Sequence, residues 1–149
     1  MNANEKQNID QLKVLNNAWQ FNDEENNSVR VMKIPGLDYW ASYCGHIFSK
    51  KNRKLRMLKE FDNGNGYLKV GISTPQGMST RFVHRLVADA WLEKTELDYW
   101  GNPRNEINHL NGDKTNNSPL NLERCSKFEN MEHLSGVLKS DDFRLKNIK

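Results

Sequence analysis

The stretch from Ile107 to His133 constrains the fold of this 149-residue chain more than any other. It reads as strand, polar loop, strand, helix. Ile107 to Leu110 predicts a short strand with one apolar face. Asn111-Gly112-Asp113 predicts a turn, because glycine takes positive φ freely and Asn and Asp bond their own backbone. The polar run lasts to Pro119, and Leu120 to Cys125 predicts a second strand. Ser126-Lys127-Phe128-Glu129 is a capping-box pattern, so a helix starts there. Asn130 and His133 lie three apart on that helix and share a face. His109, on the first strand, then looks at that face across a small ββα unit.

Before this unit the chain reads as mostly β. Residues 1–28 are the exception, rich in Asn, Gln and Glu. Ile9, Leu12, Leu15 and Trp19 recur at near-helical spacing, which predicts an amphipathic helix from Asp10 to Trp19. Its apolar face packs on the domain or, through residues 9–19, on a protein partner. Asn22 to Ser28 reads as a linker or exposed loop. From Val29 to Val83, short β-forming runs alternate with the turn signals Pro35-Gly36, Cys44-Gly45-His46, Asn63-Gly64-Asn65-Gly66 and Thr74-Pro75-Gln76-Gly77. That pattern predicts a small antiparallel β module. Val83 to Leu92 predicts a helix with Leu86, Val87, Ala90 and Trp91 on one side. The expected class is α+β: an N-terminal helix, a small antiparallel β module, then a ββα core. The divisions fall at 1–28, 29–83, 84–135 and a polar tail, 136–149.

Charge is concentrated rather than large. The net charge is only +3, yet Lys50 to Lys59 holds six Lys or Arg and no acid. Basic side chains interleave with Leu55, Met57 and Leu58, which predicts a strand with one cationic face. Such a face either blocks strand addition at a sheet edge or contacts phosphate. Cys44 and Cys125 are too far apart in sequence to suggest a disulfide framework or a Cys-rich zinc site. No apolar run approaches the length of a membrane span. The first residues lack the apolar core of a secretory leader. These features suggest a cytoplasmic protein with reduced thiols.

The combination of Asn108-His109, the Asn-Gly-Asp-Lys-Thr-Asn-Asn loop, Asn121-Leu122, and Glu129-Asn130 followed by His133 resembles the HNH endonucleases, the ββα-metal group. The resemblance is greatest to the phage and intron-encoded members. Ser42, Gly45, Ile47 and Ser49 resemble the β module that precedes the nuclease in phage members. His84-Arg85-Leu86-Val87-Ala88 resembles the segment just before the core. The likeness runs over residues 34–135.

This resemblance implies a homing-endonuclease-like enzyme that hydrolyses phosphodiester bonds of double-stranded DNA with Mg²⁺ (or Mn²⁺). It implies that His109 is the general base and that Asn121 bridges the loop backbone and steadies the base strand. By the same likeness Asn108 and Asn130 are metal ligands, and His133 is a ligand or a phosphate contact. Asn offers only a neutral oxygen, so this site should hold Mg²⁺ more weakly than one built with Asp. Lys50, Lys51, Arg53, Lys54, Arg56 and Lys59 are the candidate DNA contacts, joined by Lys114 and Arg124 nearer the site. His84 is expected to be a satisfied packing histidine, and His46 an exposed turn residue. Two other readings stay open: an HNH-scaffold DNA-binding protein with little or no cleavage, and a regulator that binds a protein through its N-terminal helix. Monomer and homodimer are equally open.

Overall fold

The computed structural model describes residues 18–94 and 97–131. The expected N-terminal helix lies outside them, apart from its last two positions, as do His133 and the 136–149 tail. Trp19, placed at the end of that helix by its spacing, instead opens a strand.

Alternation along the first part of the chain builds a five-stranded antiparallel sheet in chain order. Its strands are β1 (Trp19–Asn22), β2 (Ser28–Lys33), β3 (Trp40–Ser42), β4 (Ile47–Lys51) and β5 (Lys54–Met57). Asp23 makes a parallel bridge with Leu55, so the start of the sheet curls back towards its end. Val31, Phe48 and Leu55 are buried within that curl, and Phe21, Val29 and Trp40 pack against them. The segment expected as a linker is the β1–β2 turn. There the Asp23 carboxylate accepts from the backbone N–H groups of Glu25 and Asn27.

The basic run also differs from the single strand expected. It folds as a hairpin in which Lys51 pairs with Lys54. The two residues between, Asn52 and Arg53, have φ of 52° and 67°. A two-residue hairpin loop needs this to match the twist of its strands. Asn adopts it readily; for Arg it costs about 1–2 kcal/mol.

A second sheet follows, β6 (Phe61–Asp62), β7 (Leu68–Thr74) and β8 (Gly77–Phe82), in that order. Helix α1 (Val83–Trp91) buries Val83, His84, Leu86, Val87, Ala88, Ala90 and Trp91. It packs on Met32, Ile34, Ala41 and Ile47 of the first half, on Val70 and Ile72 of β7, and on Leu122 of the second half. The fully buried Trp91 also donates its indole N–H to the Ala41 carbonyl at 2.8 Å. One core therefore joins the β module to the ββα unit. No helix among the described residues is long and apolar enough to cross a membrane.

That unit is formed by β9 (Glu106–His109) and β10 (Leu122–Cys125), antiparallel, with Asn108 opposite Glu123 and His109 opposite Leu122. Leu120, expected within the second strand, sits in a 3₁₀ turn at Pro119–Asn121. The capping box at the following helix, residues 127–131, is formed in full. The Glu129 N–H donates to Ser126 Oγ at 3.0 Å, and the Ser126 N–H donates to Glu129 Oε1 at 2.9 Å. Arg104 grips the same Glu129 with two hydrogen bonds, at 3.0 and 2.9 Å.

Arg124, expected beside DNA, is turned to the C-terminal end of α1. Its guanidinium donates to the carbonyls of Ala88, Leu92 and Glu93. Cations are favoured there by the unpaired carbonyls and the helix dipole. Arg124→Met should lower stability by about 1.5–3 kcal/mol, the range for hydrogen bonds to a charged group. Urea melts of the two proteins check this.

Candidate active site

His109 ends β9 and is 6% exposed. Its Nε2 lies 2.8 Å from Oδ1 of Asn117. An amide oxygen only accepts, so the imidazole carries its proton on Nε2 and keeps the lone pair on Nδ1. Asn117 is itself buried. Behind it stands Gly45, at φ +90°, where an added Cβ would lie 2.3 Å from the Asn117 carbonyl carbon. The Cys44-Gly45-His46 turn thus sets the floor under the residue that holds the histidine.

Two rings pack against His109. His84 meets it edge-on, with centroids 5.2 Å apart, and Tyr67 lies 6.0 Å away. The Lys114 ammonium sits 4.6 Å from the Tyr67 ring centroid and donates to the Asn65 carbonyl. Burial lowers the His109 pKa from its usual 6.5; the Asn117 bond opposes this, and the Lys114 charge adds to it. Burial, then the charges of His109 and Arg85, bring His84 down to about 3. His84 is therefore neutral at pH 7. It was expected to be a satisfied packing residue, yet its Nδ1 has no hydrogen-bond partner among the described residues.

Asn121 ties the loop together. Its Oδ1 accepts from the Asn111 N–H at 3.0 Å, and its Nδ2 donates to Asn111 Oδ1 and to the Asn116 carbonyl at 2.8 Å. Both ends of the polar loop are thereby fixed relative to His109, which the turn from β9 immediately follows.

Asn108 points elsewhere. Successive strand residues alternate in face, and residues paired across an antiparallel ladder share one. Glu106, Asn108, Glu123 and Cys125 consequently lie together. Asn108 Nδ2 donates to Glu123 Oε1 at 3.1 Å. On the same side Asn130 Nδ2 donates to Glu106 Oε1 at 2.9 Å. So the structure groups Asn108 and Asn130 near carboxylates, and gives His109 a separate set of partners.

Glu123 is 3% exposed, and its Oε2 has no hydrogen-bond partner among the described residues. Burial raises its pKa to about 7, against the opposing Asn108 bond. The sequence reading passed over both Glu123 and Asn117. Glu123 was detectable in principle, since it stands opposite Asn108 once the strand register is set. Asn117 was one of several Asn in a polar loop with nothing to single it out.

Cys125 is buried, which pushes its thiol up to about 12, so it offers no thiolate. Among the described residues no group of three or more His, Cys, Asp and Glu side chains is placed to hold a metal ion. The donors gathered at Asn108, Asn130, Glu106 and Glu123 are amide and carboxylate oxygens. That set suits a hard cation such as Mg²⁺ or Mn²⁺ rather than zinc.

Lys50, Lys51, Arg53, Lys54, Arg56 and Lys59 are all exposed on the β4–β5 hairpin and the residues just after it. Lys50 lies 3.7 Å from the Phe21 ring centroid, and Lys54 donates to Asn26 Oδ1. His46, expected to be an exposed turn residue, is half-exposed and paired with Glu60 at 2.7 Å.

Two paired strands, a tied polar loop and a capped helix, with a histidine at the strand end, define a ββα unit of the HNH type. Comparison with known proteins agrees. No protein-family model matches the chain. An uncharacterized HNH endonuclease of Acanthamoeba polyphaga mimivirus is 34% identical over 116 residues, which are 76% of this chain and 32% of that protein. A candidate HNH homing endonuclease from the SPbeta prophage of Bacillus subtilis strain 168 is 34% identical over 102 residues, 68% of this chain and 54% of that protein. The solved structure of the HNH homing endonuclease I-HmuI, described for DNA binding and cleavage, matches with a TM-score of 0.57 and 25% identity. That match covers 79% of this chain and 64% of the other. The chain spans between a third and about half the length of the curated relatives it matches. It is a relative of the HNH-type endonucleases.

The Gly45 contact gives a direct test of how the site is braced. Gly45→Ala should destabilise the protein by at least about 1–2 kcal/mol, from its left-handed backbone alone, and should shift the His109 ring resonances. Gly71→Ala is the control, because nothing lies within 4 Å of its added Cβ. It should be neutral to mildly stabilising. Denaturant melts and imidazole NMR spectra check the pair.

Proposed function

We propose that the chain is a metal-dependent HNH DNA endonuclease that hydrolyses phosphodiester bonds of duplex DNA, with His109 as general base. The observation that carries this reading is the state of His109. Its Nε2 is engaged by Asn117, its Nδ1 lone pair is unspent, and its pKa is depressed by burial. A neutral imidazole at pH 7 is ready to take a proton from an attacking water. Asn117 fixes the ring's tautomer, and Asn121 fixes the loop from which Asn117 projects.

The exposed cations supply the second half of the reading. Lys114, held over Tyr67 near His109, would meet a phosphate oxygen of bound DNA, a role its position beside the histidine supports. The β4–β5 hairpin carries Lys51, Arg53 and Lys54 at its tip and Lys50, Arg56 and Lys59 behind, enough charge to follow a phosphate backbone. Arg124 is left out of this surface, because α1 engages its guanidinium. Asn108 and Asn130 would hold the divalent ion, Mg²⁺ or Mn²⁺, with His133 joining them on the resemblance alone. When bound, the ion supplies the positive charge that a phosphodiester needs at its phosphate and leaving oxygen.

One observation favours a second reading, an HNH-scaffold DNA-binding protein with little cleavage. Asn108 is neutral, and its amide is committed to Glu123. Supercoiled-plasmid assays separate the two. With Mg²⁺ or Mn²⁺ the wild type should give open-circle or linear product, and EDTA should abolish it. His109→Ala should lose about 10²–10⁴-fold in rate, the range for a general base, while still shifting DNA on a gel. Equal cutting by His109→Ala would remove the base from His109. DNA shifts without product from either protein would favour the binding protein.

A further inference from the structure

The metal face holds a residue that none of the expected ligands accounts for. Glu123 is one of the most deeply buried carboxylates of the described chain, at 3% exposure. Only its Oε1 is engaged, by the Asn108 amide at 3.1 Å; Oε2 has no partner among the described residues. A buried carboxylate oxygen without a donor is costly, and native proteins retain one where a ligand or a reaction needs it. Its surroundings point to a cation. Asn108 and Glu106 share its face by register, and Asn130 reaches the same face through Glu106 at 2.9 Å.

The two amides are oriented alike. Asn108 gives its NH₂ to Glu123, and Asn130 gives its NH₂ to Glu106. With each nitrogen engaged by a carboxylate, what either amide still offers is its carbonyl oxygen. Two neutral oxygens make a weak site for a hard divalent ion, which is bound chiefly by carboxylate charge. One further anionic oxygen, already desolvated and facing the same side, would supply the missing charge.

We propose that Glu123 is the anionic ligand of the divalent cation, taking over the negative charge that Asn108 lacks, with Glu106 as the positioning residue that turns Asn130 toward the same ion. This rests on the nuclease reading for the identity of the metal, but not on His109 being the base.

The test is Mn²⁺ binding to the full chain without DNA, followed by electron paramagnetic resonance. The proteins are the wild type, Glu123→Gln, Glu106→Gln and His109→Ala. Glu123→Gln should weaken Mn²⁺ by at least about 10–100-fold, the range for residues that only orient a metal's ligands. Glu106→Gln should weaken it less, and His109→Ala should bind as the wild type does. The metal-free melting temperature of Glu123→Gln should not fall, since Gln keeps the Oε1 that accepts from Asn108 and Oε2 has no partner to lose, while the rise that Mn²⁺ gives the wild type should be lost. A purely structural Glu123 would give the reverse, a lower metal-free melt and an unchanged Mn²⁺ effect.

A second measurement needs no variant. Substoichiometric Mn²⁺ should broaden the NMR signals of Asn108, Asn130 and Glu123 before those of residues on the His109 side. Wild-type affinity in Glu123→Gln, no saturable wild-type binding, or broadening centred elsewhere would each overturn the proposal. If Glu123→Gln binds normally while the wild type still cuts DNA, only this proposal fails. If Glu123 is needed for Mn²⁺ but His109→Ala cuts normally, the base assignment fails and the metal site stands.

Discussion

The hydrogen bond between His109 Nε2 and Asn117 Oδ1 is the contact on which the rest of the site depends. A histidine at the end of a strand is free to rotate and to take either tautomer. Asn117 removes both freedoms. It does so because its own backbone is pressed against Gly45, and because Asn121 ties the neighbouring Asn116 carbonyl and the Asn111 amide together. The tie reaches back through the Gly45 turn to β3 and β4, and through α1 to the main core. The β module is therefore part of the apparatus that aims the histidine as well as a carrier of positive charge.

The site divides into two chemically distinct sides of a single strand pair. On one side the His109 imidazole sits among Tyr67, His84 and Lys114, and its burial favours the neutral form. On the other, amides and carboxylates gather oxygen donors. Residues 108 and 109 are neighbours in sequence, yet alternation along β9 sends them to different partners. Under the proposed function one dipeptide serves both proton transfer and metal binding, with the phosphate at the strand end where the two sides meet. Under the proposed metal site, the neutral Asn108 is complemented by the carboxylate opposite it across the ladder.

Much of this was legible before any coordinates. The capping box at Ser126 and Glu129 is a local reciprocal bond, so four residues suffice to recognise it. The hairpins at residues 63–66 and 74–77 and the apolar stripe of α1 follow from glycine placement and from period. Other features were hidden for physical reasons. The Lys50–Lys59 run looked like one strand because its turn uses Arg53, a residue that resists positive φ. Trp19 looked helical because it stands four residues after Leu15, yet it is the first residue of β1. The bonds of Arg124 to the end of α1 were hidden because sequence cannot reveal that α1 ends within its reach. Asn117 and Glu123 take their roles from long-range packing, and neither residue type is unusual where it stands.

The central claim is that His109 is held neutral with its proton on Nε2 and a lone pair on Nδ1. A pH titration of ¹⁵N-labelled imidazoles in the full chain tests it most directly. The account predicts the Nε2–H tautomer for His109 at pH 7, with a midpoint below the ordinary 6.5, so that the ring charges only as acid is added. His84 should remain neutral well below that, towards its value of about 3. A His109 that titrates above 6.5, or that carries its proton on Nδ1, would contradict the account.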